Sequence, residues 1–461
     1  MIATGVPGGG LCGLRDIVVV NPALALPIRE RPTVAWARTD DNPSEGTEVA
    51  ARERADLVVV GAGTVGGWAS YFARADGAGR VVVLERGLVG QGASSRAAGM
   101  VRAQAGTPDT VRLGMWSIDF YRRQADIIGT DSGFEAAGYM LVALNRREER
   151  EWRSRVAWQQ DMGLDVRWLG AEEAAALNPT LAAERLRGAS YAPGDGWIDP
   201  PRNVRAYSLA MQRVGVELRE RTPLVGLKRA RGRGGRLRVT AVTTPRGDIA
   251  TERVILTGGP TLSALGQAVD VPVWVGAVRH TVAVTSPHPD LVDPVPMVFD
   301  IGRGLYWRQE EGGLLFGFSD PEEPPGVARE IDWAYLKKAR RRLARLVPVT
   351  HDLGLRKVWA ATIDYSPDHL PLLGPAIARQ GGAVDGVTVA SASGHGMMFG
   401  PAVARVAVDL ALEGATNVVS NVADFALDRF DQQGRSRGGS DAVALPFPAV
   451  ADDTPGRVGA T

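Results

Sequence analysis

Apolar residues cluster in short blocks along this chain. Ala55-Asp56-Leu57-Val58-Val59-Val60 is a run of the kind a buried parallel strand needs, and Arg80-Val81-Val82-Val83-Leu84 repeats it. Between them, Trp68 to Ala75 reads as a helix. Val254-Ile255-Leu256 and Gly386-Val387-Thr388-Val389-Ala390 have the same strand character, and a mostly apolar helix, Ala402 to Leu412, follows the second. Ile198 to Arg213 reads as a helix opened by Asp199-Pro200-Pro201, with a strand at Gly215 to Glu220. Elsewhere the period changes. Tyr139-Met140-Leu141-Val142-Ala143 and Leu314-Leu315-Phe316-Gly317-Phe318 suit antiparallel strands, and Arg146 to Met162 and Asp332 to Leu346 read as charged helices.

This order predicts an α/β protein. A Rossmann-type dinucleotide-binding domain would be assembled from 55–135, 198–262 and 355–430, with an inserted, largely antiparallel α+β substrate domain from 136–197 and 263–354. Residues 1–54 lack sustained periodicity and the features of a signal peptide, and are expected to form a mobile leader. Asp16-Ile17-Val18-Val19-Val20 is a stray strand pattern that nothing nearby continues. Residues 434–461, rich in Gly, Asp, Ser and Pro, read as a disordered tail.

Composition narrows the function. Lys plus Arg number 53 against 52 Asp plus Glu, so no global field points to nucleic acid or an anionic membrane. The one cysteine, Cys12, excludes an internal disulfide framework and a multi-cysteine metal site. No run approaches about 18 apolar residues, so no membrane span is expected. A cytoplasmic setting, with no metal and no nucleic acid, is the expectation.

The first strand runs into GAGTVGG, with Gly61, Gly63 and Gly66, and the second ends on Glu85. A lone glycine pattern is weak, but strand, glycine turn, helix, strand and terminal acid within about 30 residues is a strong signal. Gly61 permits the tight turn, Gly63 lets backbone approach a pyrophosphate, and Gly66 lets helix and strand pack closely. Thr64 and Val65 complete the turn, whose helix N-terminus would meet the phosphates. Glu85 would accept from ribose hydroxyls and repel a 2′-phosphate, which argues against NADP. This unit alone leaves FAD and NAD open. The small-residue loop Gly90 to Arg102 then stands where a nicotinamide dehydrogenase would place another βα unit.

Near the end stands SASGHGMMFGP, Ser391 to Pro401, a lone histidine between two glycines at the mouth of a helix. A tight turn with no ligand accounts for this stretch alone. With the GAGTVG turn and Glu85, the SSRAAGMVR loop, Val254 to Gly259, Val278-Arg279-His280, GLYWRQE and Trp359 to Pro375 (WAATIDYSPDHLPLLGP), the chain resembles the D-amino-acid-oxidase-like superfamily of FAD enzymes. The resemblance runs from about Ala55 to Phe430, and its WxxxIDxxPDxxPxxG pattern is most like the sarcosine oxidase β-subunit and proline dehydrogenase branch.

The resemblance implies FAD as cofactor. It carries over as cofactor-binding residues Gly61, Gly63, Thr64, Val65, Gly66, Glu85, Arg86, Ser94, Ser95, Arg96, Gly99, Met100, Leu224, Thr257, Gly258, Gly394, His395, Gly396, Met397 and Met398. It also implies that the last helix aims its N-terminus at the flavin's pyrimidine edge, with His395 adding a donor or orienting the turn. Positions where some relatives attach FAD covalently hold Ala361 and Ala97, so a noncovalent FAD is expected. Leu314-Leu315 stands where monomeric sarcosine oxidases carry a lysine associated with oxygen, and Ile363 where glycine oxidases carry a carboxylate-binding arginine.

On the substrate side, Tyr306 and Arg308 are two apart on a strand and share a face; a clamp for a carboxylate and an ordinary surface hairpin both fit. Arg102 is the rival clamp, and His280 belongs to a pair common in this branch. Asp364 and Asp368, around Pro367, read as residues that cap or orient. The expected activity is FAD-dependent oxidation of the C–N bond of a small amine or amino acid, most readily secondary or tertiary, by hydride transfer to flavin N5 to give an imine. The competing readings are an FAD-binding subunit or assembly factor inactive without hetero-oligomeric partners, and an NAD-dependent dehydrogenase.

Overall fold

The structure, a computed structural model, describes residues 53–291, 294–431, 433–438 and 440. The expected mobile leader up to residue 52, with its stray strand, and the tail from 441 onward lie outside the described residues. Glu53 and Arg54, assigned above to the leader, belong to the fold. Arg54 bridges to Ala250, and Glu53 pairs with Arg80 at 2.6 Å and with Arg219. At the other end Ser436 bridges back to Phe430.

A nine-stranded sheet forms the first layer. Its centre is parallel and runs Glu217–Arg219, Val81–Leu84, Leu57–Val60, Val254–Leu256, Ala383–Ser391. All four residues of Leu57–Val60 are buried. Leu57 and Val59 face one apolar core while Val58 and Val60 face another, which is why the run is continuous rather than alternating. Helices Thr64–Ala75, Pro108–Ile128, Pro200–Arg213 and Gly396–Leu412 cover the first face.

An eight-stranded sheet forms the second layer, in the order Leu355–Tyr365, Gly276–Thr285, Gly313–Phe318, Leu305–Glu310, Met297–Asp300, Tyr139–Ala143, Gly188–Ala192, Arg167–Leu169. Its pairings are antiparallel except that of Met297–Asp300 with Tyr139–Ala143. Met140 and Val142 face a core that Trp333–Leu346 covers, and Tyr139 and Leu141 face the opposite way. The fold is therefore mixed α/β, a dinucleotide-type layer joined to a largely antiparallel one.

Two boundaries differ from the sequence reading. Residues 355–365 pair along their length with Gly276–Thr285, so this strand belongs to the second sheet. Residues 263–275 instead pack Val269, Val271 and Val273 under the first sheet. Apolar pattern shows that a strand is buried, but not which sheet receives it.

Both glycine-marked helices begin earlier than their apolar pattern suggests. The first starts at Thr64 because Gly66 and Gly67 are needed inside it. A Cβ at Gly66 would stand 1.8 Å from the Gly61 carbonyl oxygen, and one at Gly67 would stand 2.5 Å from the Tyr207 ring. The last helix starts at Gly396 and contains Pro401. Pro401 cannot donate to the Met397 carbonyl one turn back, and that oxygen accepts instead from the Tyr121 hydroxyl at 2.7 Å.

Candidate active site

The two sheets meet around a cavity of about 530 Å³. Gly61, Gly63, Thr64, Val65 and Gly66 line it, as do Glu85, Arg86, Ser94, Arg96, Gly99, Met100, Leu224, Thr257 and Gly258. Gly394, His395, Gly396, Met397 and Met398 close the same space from the last helix. Of the sequence-derived cofactor set only Ser95 points elsewhere; its hydroxyl is taken by the Gly90 carbonyl. The backbone there turns through a short 3₁₀ segment, Ala93–Ser95, which presents Ser94 and turns Ser95 back.

The nucleotide end is shaped for a ligand. Gly61 adopts φ +95°, and a Cβ there would stand 2.8 Å from Thr257 Oγ1. Gly63 has only Ser94 Oγ near its missing Cβ, at 3.2 Å, so the space beside it is open toward the cavity. Ser94 Oγ in turn accepts from the Thr64 backbone N–H at 3.0 Å. The Glu85 carboxylate is fixed from both sides, accepting from Ala62 N–H at 2.9 Å and Gly87 N–H at 2.8 Å. A glycine cradle, a helix N-terminus and an oriented acid fit an adenine dinucleotide.

At the other end of the cavity stand Arg102, Tyr139, His280, Phe299 and Tyr306. His280 Nε2 lies 2.5 Å from the Tyr306 hydroxyl, and His280 Nδ1 lies 2.8 Å from Ser319 Oγ. Burial pushes the His280 pKa down to about 4, because a desolvated imidazolium has no anion beside it here. Burial raises the Tyr306 phenol as well, and the pair is neutral near pH 7.

Arg102 is 1% exposed. Its guanidinium hydrogen-bonds the Tyr139 hydroxyl and the Gln104 carbonyl and lies 5.8 Å from the Phe299 ring centre. The buried Asp195 carboxyl is nearby. It accepts from Ala103 N–H at 2.9 Å and Gln104 Nε2 at 3.1 Å, and burial lifts its pKa to about 6 despite these donors and Arg102.

Arg308 does not line the cavity, which removes the clamp from the two readings the sequence left open for it. Its guanidinium pairs with Glu310 at 2.6 Å, donates to the Ala98 carbonyl at 3.1 Å and lies 4.4 Å from the Trp197 ring centre. Tyr306 and Arg308 share a face as expected, but the strand carries Arg308 past the cavity rim, where Glu310 neutralises it. It ties the flavin loop to the second sheet.

Asp368 forms a buried ion pair with Arg429 at 2.8 Å and caps the turn after residue 365. Asp364 lines the cavity beside Ile363. Tyr139, Asp195 and Phe299 were missed in the sequence. Alternation would have put Tyr139 on the inward face, whereas Asp195 sits in a stretch that reads only as a turn.

Among the described residues no helix is long and apolar enough to cross a membrane, and no cluster of His, Cys, Asp and Glu could hold a metal ion.

A parallel sheet with this glycine cradle, joined to a largely antiparallel sheet that walls the far end of one cavity, defines a flavoprotein oxidoreductase. The chain belongs to the DAO family, FAD dependent oxidoreductase, whose model matches residues 56–410. Its cofactor is FAD. It is 26% identical over 379 residues to 4-methylaminobutanoate oxidase (formaldehyde-forming) of Paenarthrobacter nicotinovorans, covering 80% of this chain and 45% of that protein. Glycine oxidase of Geobacillus kaustophilus is 29% identical over 388 residues, covering 82% of this chain and 97% of that one. The crystal structure of that organism's glycine oxidase superposes with a TM-score of 0.70 at 26% identity, over 82% of this chain and all of the other. L-proline dehydrogenase from P. horikoshii shares the fold, with a TM-score of 0.72 at 22% identity over 80% of this chain and 96% of that one. The chain spans about half the length of the first curated relatives it matches, 43–48%.

Proposed function

We propose that the protein oxidises the C–N bond of a small secondary or tertiary amine or amino acid to an imine, which water then hydrolyses. The observation that carries this reading is a single cavity with the glycine cradle at one end and Arg102, His280 and Tyr306 at the other. Bound FAD would accept the hydride from the carbon beside the nitrogen.

The chain's own residues would do the rest. Arg102, buried and cationic, would hold a substrate carboxylate. The neutral His280–Tyr306 pair offers a donor and an acceptor without adding charge. A substrate ammonium entering this desolvated end would be driven toward its neutral form, so no strong protein base is needed. The N-terminus of the last helix would favour negative charge developing on the cofactor edge it faces.

Ile363 puts an aliphatic side chain on the cavity wall, which favours substrates bearing carbon on nitrogen over primary amino acids. The names of 4-methylaminobutanoate oxidase and dimethylglycine dehydrogenase, both relatives, point the same way. Ala97 and Ala361 give no side chain able to bond covalently to FAD, which supports noncovalent binding.

Product analysis after incubation with sarcosine, dimethylglycine, proline and glycine tests this. Aldehyde or ring-opened product from the N-alkylated substrates, and little turnover of glycine, is expected; glycine as the preferred substrate would contradict it. A second reading, an FAD-binding subunit needing partner chains, draws support from the greater length of the first curated relatives. It predicts bound flavin that none of these substrates reduces.

A further inference from the structure

Asp364 is a half-buried carboxyl in the cavity wall, held where the strand Leu355–Tyr365 meets the turn into the last helix. It accepts from Ser391 Oγ at 2.5 Å and from the Gly394 backbone N–H. The turn it grips is otherwise strained. Ser393 adopts φ +49° and Gly394 φ +79°, and Ser393 Oγ is fixed by the Ser366 N–H at 2.8 Å. A carboxyl therefore occupies one donor of the same helix mouth whose first residues, Gly396, Met397 and Met398, line the cavity.

The charged neighbours are already committed. On the paired strand Gly276–Thr285, Arg279 pairs with Glu323 at 2.7 Å and Asp332 at 3.7 Å, and His280 bonds Tyr306 and Ser319. The turn Gly259–Thr261 brings no ionisable side chain. Arg96, after the Ala93–Ser95 turn, donates to backbone carbonyls of Gln91 and Gly92. Arg329, also on the cavity wall, donates to the Gln91 carbonyl, and His395 stands on the helix turn itself. Asp364 forms none of the ion pairs among the described residues.

We propose that Asp364 is a positioning residue that couples a proton to reduction of the bound flavin, ionised beside the oxidised cofactor and protonated beside the reduced anion. This rests on the FAD-dependent reading above. Two electrons and one proton convert oxidised flavin to its reduced anion, and substrate supplies them together as a hydride. A second negative charge then faces Asp364 across a desolvated site, and the carboxylate takes one proton from solvent. Burial raises this carboxyl above its ordinary value, against the pull of Ser391 and Gly394, and so acts in the same direction. Reoxidation releases the proton.

The test is the midpoint potential of the FAD-loaded protein as a function of pH, for wild type, Asp364→Asn and Ser391→Ala. Wild type is expected to take up about two protons per two electrons over a window in which Asp364→Asn takes up about one. Asp364→Asn should also be easier to reduce at the alkaline end. Ser391→Ala removes a donor from the carboxylate and should move the lower edge of the window to higher pH. Parallel lines for wild type and Asp364→Asn overturn the proposal. Should Asp364→Asn fail to fold, an unmoved window in Ser391→Ala overturns it equally. A protein that binds no flavin overturns both this proposal and the functional reading, whereas flavin that substrate reduces on parallel lines overturns only the role of Asp364.

Discussion

The Nε2 atom of His280 and the hydroxyl of Tyr306 lie 2.5 Å apart on the cavity wall, with rings nearly parallel at 14°. The two come from strands of the second sheet that flank Gly313–Phe318, and Ser319 holds the far nitrogen of the imidazole. With the histidine pushed down to about 4 and the phenol pushed up, the pair changes charge neither in mild acid nor in mild base.

A pH profile follows from that pair. The kcat/KM of flavin reduction should rise with pH toward the ammonium pKa of the free substrate, about 10 for an alkyl amine. Substrates of different amine basicity should shift the profile by the difference in their pKa values. A midpoint that stays fixed across such a series would assign the titration to the protein.

Arg102 and Arg308 separate binding from scaffolding. Arg102→Gln should lower kcat/KM for a carboxylate-bearing amine roughly 10- to 100-fold, the loss of about 1.5–3 kcal/mol expected for a hydrogen bond to a charged group. An uncharged amine should be much less affected. Arg308→Gln leaves Glu310 without its 2.6 Å partner and should lower the melting temperature while leaving KM unchanged. Steady-state kinetics with paired charged and uncharged substrates, beside thermal melts, decide between them.

The two glycines of the nucleotide turn should fail differently. Gly66→Ala would drive a methyl group to 1.8 Å from the Gly61 carbonyl oxygen and is expected to give little folded protein. Gly63→Ala meets only Ser94 Oγ at 3.2 Å, so the apoprotein should fold while flavin retention falls. Circular dichroism and the ratio of flavin to protein absorbance test both. Full flavin content in Gly63→Ala would contradict the cradle.

The strands on either side of Gly61 were legible in the sequence because a parallel strand buried on both faces has to be continuously apolar. The cavity's nucleotide end was legible for a related reason, since backbone that approaches a ligand must be glycine. The substrate end was less so. Tyr306 and Arg308 share a face, yet only Tyr306 reaches the cavity, because Glu310 and the Trp197 ring capture Arg308 at the rim. The early start of the last helix was hidden by Pro401, which sequence rules place outside a helix, and only the distant Tyr121 explains why it is tolerated. Contacts between residues far apart in sequence leave no local pattern to read.

Asp195 makes a prediction about stability. Its folded pKa of about 6 lies above the ordinary 3.8, so the fold holds this proton more tightly than the unfolded chain does. The stability it contributes is complete below about pH 4 and is lost as pH rises through about 6, to a limit of roughly 3 kcal/mol. His280, with its pKa lowered to about 4, acts in the opposite sense over the same range, so total stability can look flat. The difference between Asp195→Asn and wild type isolates the carboxyl. Denaturant melts should show the variant gaining on wild type between about pH 4 and 7; a constant difference would contradict the raised pKa.

The central claim is that FAD in this cavity takes a hydride from an amine. The most direct measurement is the visible spectrum of the FAD-loaded protein under anaerobic conditions, before and after addition of sarcosine, dimethylglycine or proline. The account predicts two flavin bands that bleach with at least one of these. Flavin bands that none of these substrates bleaches would contradict it, as would a protein that remains colourless when supplied with FAD.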